Sequence, residues 1–237
     1  MRILITNDDS INASQLIPLA KWAQKLGEVT VVVPKVEQSG KSHGFEIHRP
    51  FEVKQVELEP GIIVNTVDST PADCVRFAIL GMKVKFDLVI SGVNRGYNIG
   101  SDMMYSGTVA AVREAQLQKI PAIALSTSPE YYENALVHLD EVYNYIVENK
   151  LLEIHNAYNI NIPENPKGFK ITRQGGIYYS DSFPEIEKGM YMASGILLYE
   201  PSNDLTLDTD ATLSGYYSVM PLTLTMTEMD IFNKLSK

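Results

Sequence analysis

Two aspartates stand side by side in Asn7-Asp8-Asp9-Ser10, directly after a short apolar run at residues 3–6. Adjacent carboxylates repel each other unless a cation sits between or beside them. Hard divalent ions such as Mg2+ or Mn2+ take oxygen donors of the carboxylate, amide and hydroxyl kinds. Such donors recur at Ser39, within Gln38-Ser39-Gly40, and at Asn94, within Ser91-Gly92-Val93-Asn94-Arg95-Gly96. Asp8, Asp9, Ser39 and Asn94 are therefore candidate ligands of one divalent cation. Alone, the Asn-Asp-Asp run reads equally well as a strand-to-helix turn with capping side chains; joined to the Asn94 segment, the metal is the better reading. Ser106-Gly107-Thr108 opens a helical stretch. It offers backbone N–H groups, two hydroxyls and the positive end of a helix dipole, which suit a phosphate. An ordinary N-cap with a close-packed glycine has the same residues, but a phosphate beside a metal makes both segments useful at once.

Other chemistry is poorly represented. His43, His48, His138 and His155 lack zinc spacing, and no Gly-x-Ser-x-Gly elbow occurs. His43 falls in the polar segment after the second apolar run, as a loop bystander or a proton-transfer group. Thr70-Pro71-Ala72-Asp73-Cys74-Val75 has the order of a helix start, with Thr70 as cap and Cys74 as a packing residue.

The elements that must position these residues follow from apolar patterning. Residues 3–6 and 29–33 are continuous apolar runs, and between them Leu16, Leu19, Ala20, Ala23 and Leu26 recur at helical spacing, with Ser14 as N-cap and Gly27 as stop. Strand, helix and strand within this length predict a parallel βαβ unit. A second unit is expected at 86–90, 106–118 and 120–126. Between the two lie a hairpin at 51–67 and a helix at 71–80, and a further helix is expected at 134–149. Past residue 149 short strands are expected at 169–172, 176–179 and 191–199. The expected architecture is an α/β fold, a mostly parallel sheet flanked by helices with a C-terminal β-rich extension. In such a sheet ligands bind beyond the carboxyl ends of the strands, where all the candidate segments fall.

Bulk properties narrow the partners. The chain has 237 residues and a net charge of −9, which argues against a broad nucleic-acid footprint but not against a small anionic substrate beside a metal. The single cysteine suits a reducing compartment. No stretch is long and apolar enough to span a membrane, no secretory pattern opens the chain, and the cytoplasm is the expected location.

Taken together, these segments resemble the SurE family, the stationary-phase survival nucleotidases. The similarity runs through Ile3-Leu4-Ile5-Thr6-Asn7-Asp8-Asp9, Gln38-Ser39-Gly40, Thr70-Pro71-Ala72-Asp73-Cys74-Val75, Asp87-Leu88-Val89-Ile90-Ser91-Gly92-Val93-Asn94, Asn98-Ile99-Gly100 and Tyr105-Ser106-Gly107-Thr108-Val109. It continues through Ile171-Thr172-Arg173-Gln174-Gly175 and Gly215-Tyr216-Tyr217-Ser218-Val219-Met220-Pro221-Leu222. The resemblance implies a Rossmann-like catalytic core over residues 1–149. It also implies an extension over 150–237, with a β-hairpin and terminal helix, that mediates assembly into a homodimer or homotetramer. It implies hydrolysis of 5′- and 3′-nucleoside monophosphates, in some members also of short polyphosphate. One Mg2+ or Mn2+ per subunit would sit on Asp8, Asp9, Ser39 and Asn94. Asp8 and Asp9 would be catalytic, and Asn7, Gly40, Asn98, Ser106, Gly107 and Thr108 would contact substrate.

The chain departs from the family pattern in four places. Ser10 replaces the usual glycine after the acidic pair, Ser69 precedes Thr70 where glycine is usual, and Lys41-Ser42-His43-Gly44-Phe45 replaces a Gly, Ser and Thr pattern. The stretch 181–193 is short. A phosphoacceptor receiver module also carries an acidic pair after its first strand, but it needs a further Asp and a Lys at later strand ends. Asn94, Thr127 and Ser128 stand there instead. An aspartyl-nucleophile phosphatase needs Asp-x-Asp, and Ser10 follows Asp9.

Overall fold

A computed structural model describes residues 1–236. Its strands are β1 (Arg2–Thr6), β2 (Glu28–Pro34), β3 (Val53–Glu59), β4 (Ile62–Val67), β5 (Leu88–Arg95), β6 (Ala122–Thr127), β7 (Ala157–Ile162), β8 (Phe169–Ile171), β9 (Tyr179–Ser182), β10 (Glu185–Glu187), β11 (Met190–Tyr191), β12 (Ser194–Leu197) and β13 (Tyr217–Pro221). Its α-helices are α1 (Leu16–Gln24), α2 (Pro71–Arg76), α3 (Gly107–Leu117), α4 (Leu139–Glu148), α5 (Leu151–Ile154), α6 (Asp208–Leu213) and α7 (Met229–Leu235). None of them is long and apolar enough to cross a membrane.

Nine strands form one sheet in the order β3-β4-β2-β1-β5-β6-β7-β13-β8. The six from β4 through β7 run parallel, and β3 and β13 pair antiparallel with their neighbours β4 and β7. The apolar runs are continuous because both faces are covered. Ile3, Ile5, Val31 and Val33 pack on one face with Leu16, Leu19, Leu139 and Val142. Leu4 and Val32 point the other way, to Cys74, Val75, Val109 and Val112. The mostly parallel, helix-flanked sheet is the one the βαβ rhythm predicts.

Several local expectations shift. Ser14 does not cap α1; its hydroxyl donates to Glu133 Oε1 at 2.8 Å, and Gln15 occupies the cap position. The helix expected at 71–80 is α-helical only to Arg76 and continues as a π-helical turn over Phe77–Gly81. The stretch expected as one helix at 134–149 opens as a 3-10 segment, Tyr132–His138, before α4. The strand expected at 176–179 begins instead at Tyr179. The one at 191–199 is split into β11 and β12, which fold back on β10 and β9 as a nested hairpin.

The largest shift concerns Ser91-Gly92-Val93-Asn94-Arg95. The strand expected at 86–90 does not stop before it: β5 runs on to Arg95, with a register shift against β6 between Ser91 and Asn94. Gly92 makes this possible: at φ +133° its Cα faces the Leu125 carbonyl, which leaves no room for a Cβ. Three strands from beyond residue 149 (β7, β8 and β13) pair into the main sheet.

Candidate active site

The carboxyl ends of β1, β2 and β5 meet the N-terminus of α3. Asp8, only 4% exposed, accepts from the Thr108 hydroxyl through Oδ1 at 2.6 Å and from the Thr108 N–H through Oδ2 at 3.3 Å. The same hydroxyl lies 3.4 Å from Asn94 Oδ1, while Asn94 Nδ2 donates to Gly96 O at 2.8 Å. Asp9 Oδ2 accepts from the Arg95 N–H at 3.3 Å. Gln38 N donates to Asp8 O at 2.8 Å and fastens the segment bearing Ser39 and Gly40 to the same edge. Asp8, Asp9, Asn94, Gly107 and Thr108 are thus brought together. Ser39 lies nearby on the surface, with its hydroxyl donated to Glu37 Oε1 at 2.7 Å.

Gly107 allows the close approach of α3. A Cβ there would stand 2.9 Å from Asp8 Cβ and 3.0 Å from Pro71 Cγ. Ser106 is the N-cap, its Oγ accepting from Val109 N at 3.1 Å. Of the three residues read as a phosphate cradle, Thr108 has its hydroxyl proton committed to Asp8, whereas Ser106 Oγ only accepts and its O–H donates to no described residue. Two other candidates face inward. Asn7, 1% exposed, donates to Ser10 O at 3.0 Å and holds the turn. Asn98 donates through Nδ2 to Ser126 Oγ at 2.8 Å and through its backbone N–H to Asn161 Oδ1 at 2.9 Å, so it orients the loop after β5. Ser10 stands at φ 73°, in the left-handed region that glycine enters at no steric cost.

Electrostatics single out the acidic pair. Burial raises the Asp8 carboxyl above its ordinary value, and the Thr108 hydroxyl opposes the rise. Burial, then the Asp8 charge, push Asp9 up to about 6. Among the described residues no Lys, Arg or His side-chain nitrogen lies within 4.0 Å of either carboxylate. Two sequestered carboxylates with no cationic partner, beside an amide oxygen, fit a hard divalent cation. The described residues hold no group of three or more His, Cys, Asp or Glu side chains suited to a metal; a site here would combine two carboxylates with neutral oxygens.

Asp9 opens into a cavity of about 430 Å³ whose walls include Glu37, Arg95, Tyr132 and Glu133. Sequence reasoning did not single out Glu37 or Arg95 as site residues. Arg95 directly follows Asn94, and its place at a strand's carboxyl end was the available signal. His43 turns away from the acidic pair, its Nε2 lying 3.1 Å from Glu114 Oε2. Cys74 is a buried packing residue, as expected.

The family model for "Survival protein SurE" matches residues 3–181. A protein of Thermosipho melanesiensis named 5′-nucleotidase SurE is 35% identical over 251 residues, covering 100% of this chain and 97% of that protein. One of the same name from Natranaerobius thermophilus is 36% identical over 256 residues, covering 100% and 98%. The crystal structure of the SurE protein from Aquifex aeolicus superposes with a TM-score of 0.78 at 31% identity, covering 100% of this chain and 98% of that one. With the family model spanning residues 3–181, and with sequence and fold in accord along its length, the chain belongs to the SurE family.

Proposed function

We propose that the chain hydrolyses nucleoside 5′-monophosphates to nucleoside and phosphate, with a divalent cation at the Asp8–Asp9 edge. The observation that carries this is the buried carboxylate pair without a cationic partner, set against the N-terminus of α3. The names of the relatives supply the reaction class.

Asp8 and Asp9 would hold the cation, with Asn94 Oδ1 and Ser39 Oγ as neutral ligands; the Ser39 hydroxyl donates to Glu37 and keeps its lone pairs for a cation. When bound, the cation supplies charge neutralisation and polarises a phosphoryl oxygen. The protein's own groups do the rest. Thr108 fixes Asp8 through two hydrogen bonds. Asp9 Oδ1, free of hydrogen bonds among the described residues, is the atom positioned to accept a proton from the attacking water. The Gly107 N–H, at the first turn of α3, is a donor for a phosphate oxygen. The Arg95 guanidinium makes no ion pair among the described residues and shares the cavity with Asp9, so it can neutralise charge on the phosphoryl oxygens.

Assembly and location complete the reading. Phe183, Ile186, Met190 and Tyr191 are exposed on the nested hairpin, an apolar arm that a second copy within a homodimer would cover. Residues 150–237 would then combine sheet completion with assembly. The lone buried thiol supports a cytoplasmic location.

The test is phosphate release from 5′- and 3′-nucleoside monophosphates and short polyphosphate with Mg2+, Mn2+ or chelator. Release should require metal. Asp8→Asn should abolish it while the protein stays folded. Metal-dependent turnover at the wild-type rate in Asp8→Asn would overturn the assignment, and a stable phosphoprotein without release would favour a receiver module.

A further inference from the structure

A second cavity, of about 340 Å³, adjoins the first and is lined by Val36, Gln38, Lys41, Phe45 and Asp68 among others. Val36 walls both cavities. We propose that this second cavity takes the nucleoside half of the substrate, with the base stacked on Phe45 and a sugar hydroxyl donated to Asp68. The proposal rests on the phosphatase reading above and extends it to substrate selection.

Three observations support it. The first is position. Asp68 directly follows β4, which lies two places from β1 in the sheet, with its carboxyl end on the same edge. Two inter-strand steps are about 9.5 Å, a reach suited to the part of a nucleotide beyond its phosphate.

The second is the state of Asp68 and Lys41. The half-buried Asp68 carboxylate accepts no hydrogen bond and has no cation within 4.0 Å among the described residues, and the Lys41 ammonium is likewise without a carboxylate partner. Neighbouring acids are engaged: Asp73 Oδ2 accepts from Ser69 Oγ and Glu46 N, and Glu46 accepts from His48 N and Arg49 Nε. A carboxylate is a strong acceptor for paired or single sugar hydroxyls at a sheet's ligand edge.

The third is the ring itself. Phe45 is 50% exposed. The Arg76 guanidinium sits over its ring at 4.9 Å from the centroid, and Phe45 itself lines the second cavity. A cation on one face withdraws electron density and favours an electron-rich heterocycle on the other. The backbone on either side is clamped: Gly44 O accepts from Thr70 Oγ1 at 2.7 Å, and Glu46 N donates to Asp73 Oδ2 at 2.8 Å. The platform is therefore set before a ligand arrives.

Steady-state kinetics on adenosine 5′-monophosphate, its 2′,3′-dideoxy analogue and phenyl phosphate test the proposal. For Phe45→Ala the ratio of kcat/KM for the nucleotide to that for phenyl phosphate should fall about tenfold to a hundredfold, mainly through KM. Phe45→Trp should restore it. Asp68→Ala should lower kcat/KM for the ribonucleotide about tenfold and erase its advantage over the dideoxy analogue. Ratios unchanged within twofold in both alanine variants overturn the proposal. So does a wild-type enzyme that treats the nucleotide and phenyl phosphate alike; in both cases metal-dependent phosphate release leaves the phosphatase reading standing. Absence of phosphate release from every substrate overturns both.

Discussion

Thr108→Val deletes one oxygen and keeps the shape of a side chain with no solvent exposure. The lost group is the hydroxyl 2.6 Å from Asp8 Oδ1, a charge-assisted hydrogen bond whenever Asp8 is ionised. Such a bond is worth about 1.5–3 kcal/mol. The Thr108 N–H at 3.3 Å remains as a weaker substitute. Burial raises the Asp8 carboxyl and the hydroxyl opposes that rise, so the deficit belongs to the ionised form. It should be full at alkaline pH and shrink as acid neutralises Asp8 in both proteins. Urea unfolding in chelator, well above and well below neutrality, measures it. If the same loss is felt in the transition state, kcat/KM falls by about tenfold to a hundredfold. Thr108→Ser keeps the hydroxyl and should recover most of both quantities. A deficit below about 0.5 kcal/mol at alkaline pH, within the ordinary scatter of harmless substitutions, would refute the role given to this contact. A serine variant as impaired as the valine one would do the same.

Three further outcomes are expected. Asp9, raised from 3.8 to about 6, holds its proton more tightly when folded, so its contribution to stability falls as pH rises from 3.8 through about 6. Melting curves across that range in chelator should show a fall that Asp9→Asn lacks and that saturating Mg2+ or Mn2+ reverses. Ser10→Gly relieves a left-handed backbone at φ 73° but forfeits the 3.3 Å bond from Asn12 N to Ser10 Oγ; a net gain of about 0.5–1 kcal/mol should appear as a higher urea midpoint at constant slope. Gly107→Ala drives a methyl against Asp8 and Pro71, which should cost about 1–3 kcal/mol and depress phosphate release along with the melting temperature.

Features governed by neighbouring residues were legible in the sequence. Thr70 caps α2, Ser106 caps α3, and residues 3–6 form the strand that delivers the acidic pair, because caps and buried strands depend on a few adjacent side chains. Ser14 misled because a distant acid, Glu133, outcompeted the local cap. The β5 segment misled because glycine usually interrupts a strand. Here Gly92 instead permits close approach to Leu125, a relation visible only once β6 is alongside. At the candidate site, residue types at strand ends singled out Asp8, Asp9 and Asn94, which the fold brings to one edge. The use of Thr108 to hold Asp8 was not legible, since the two lie 100 positions apart. The pairing of β13 between β7 and β8 depends likewise on register across long stretches of chain.

That last pairing bears on how the protein is made. Tyr217 and Val219 are wholly buried, and β8 has only β13 to bond with in the sheet. While the ribosome is still upstream of these codons, the nascent polypeptide presents the flank of β7 as an open row of amides and carbonyls, with apolar side chains uncovered beneath it. A chain halted there would leave that flank unpaired, an open edge available to strands of other molecules until the final strand slots in.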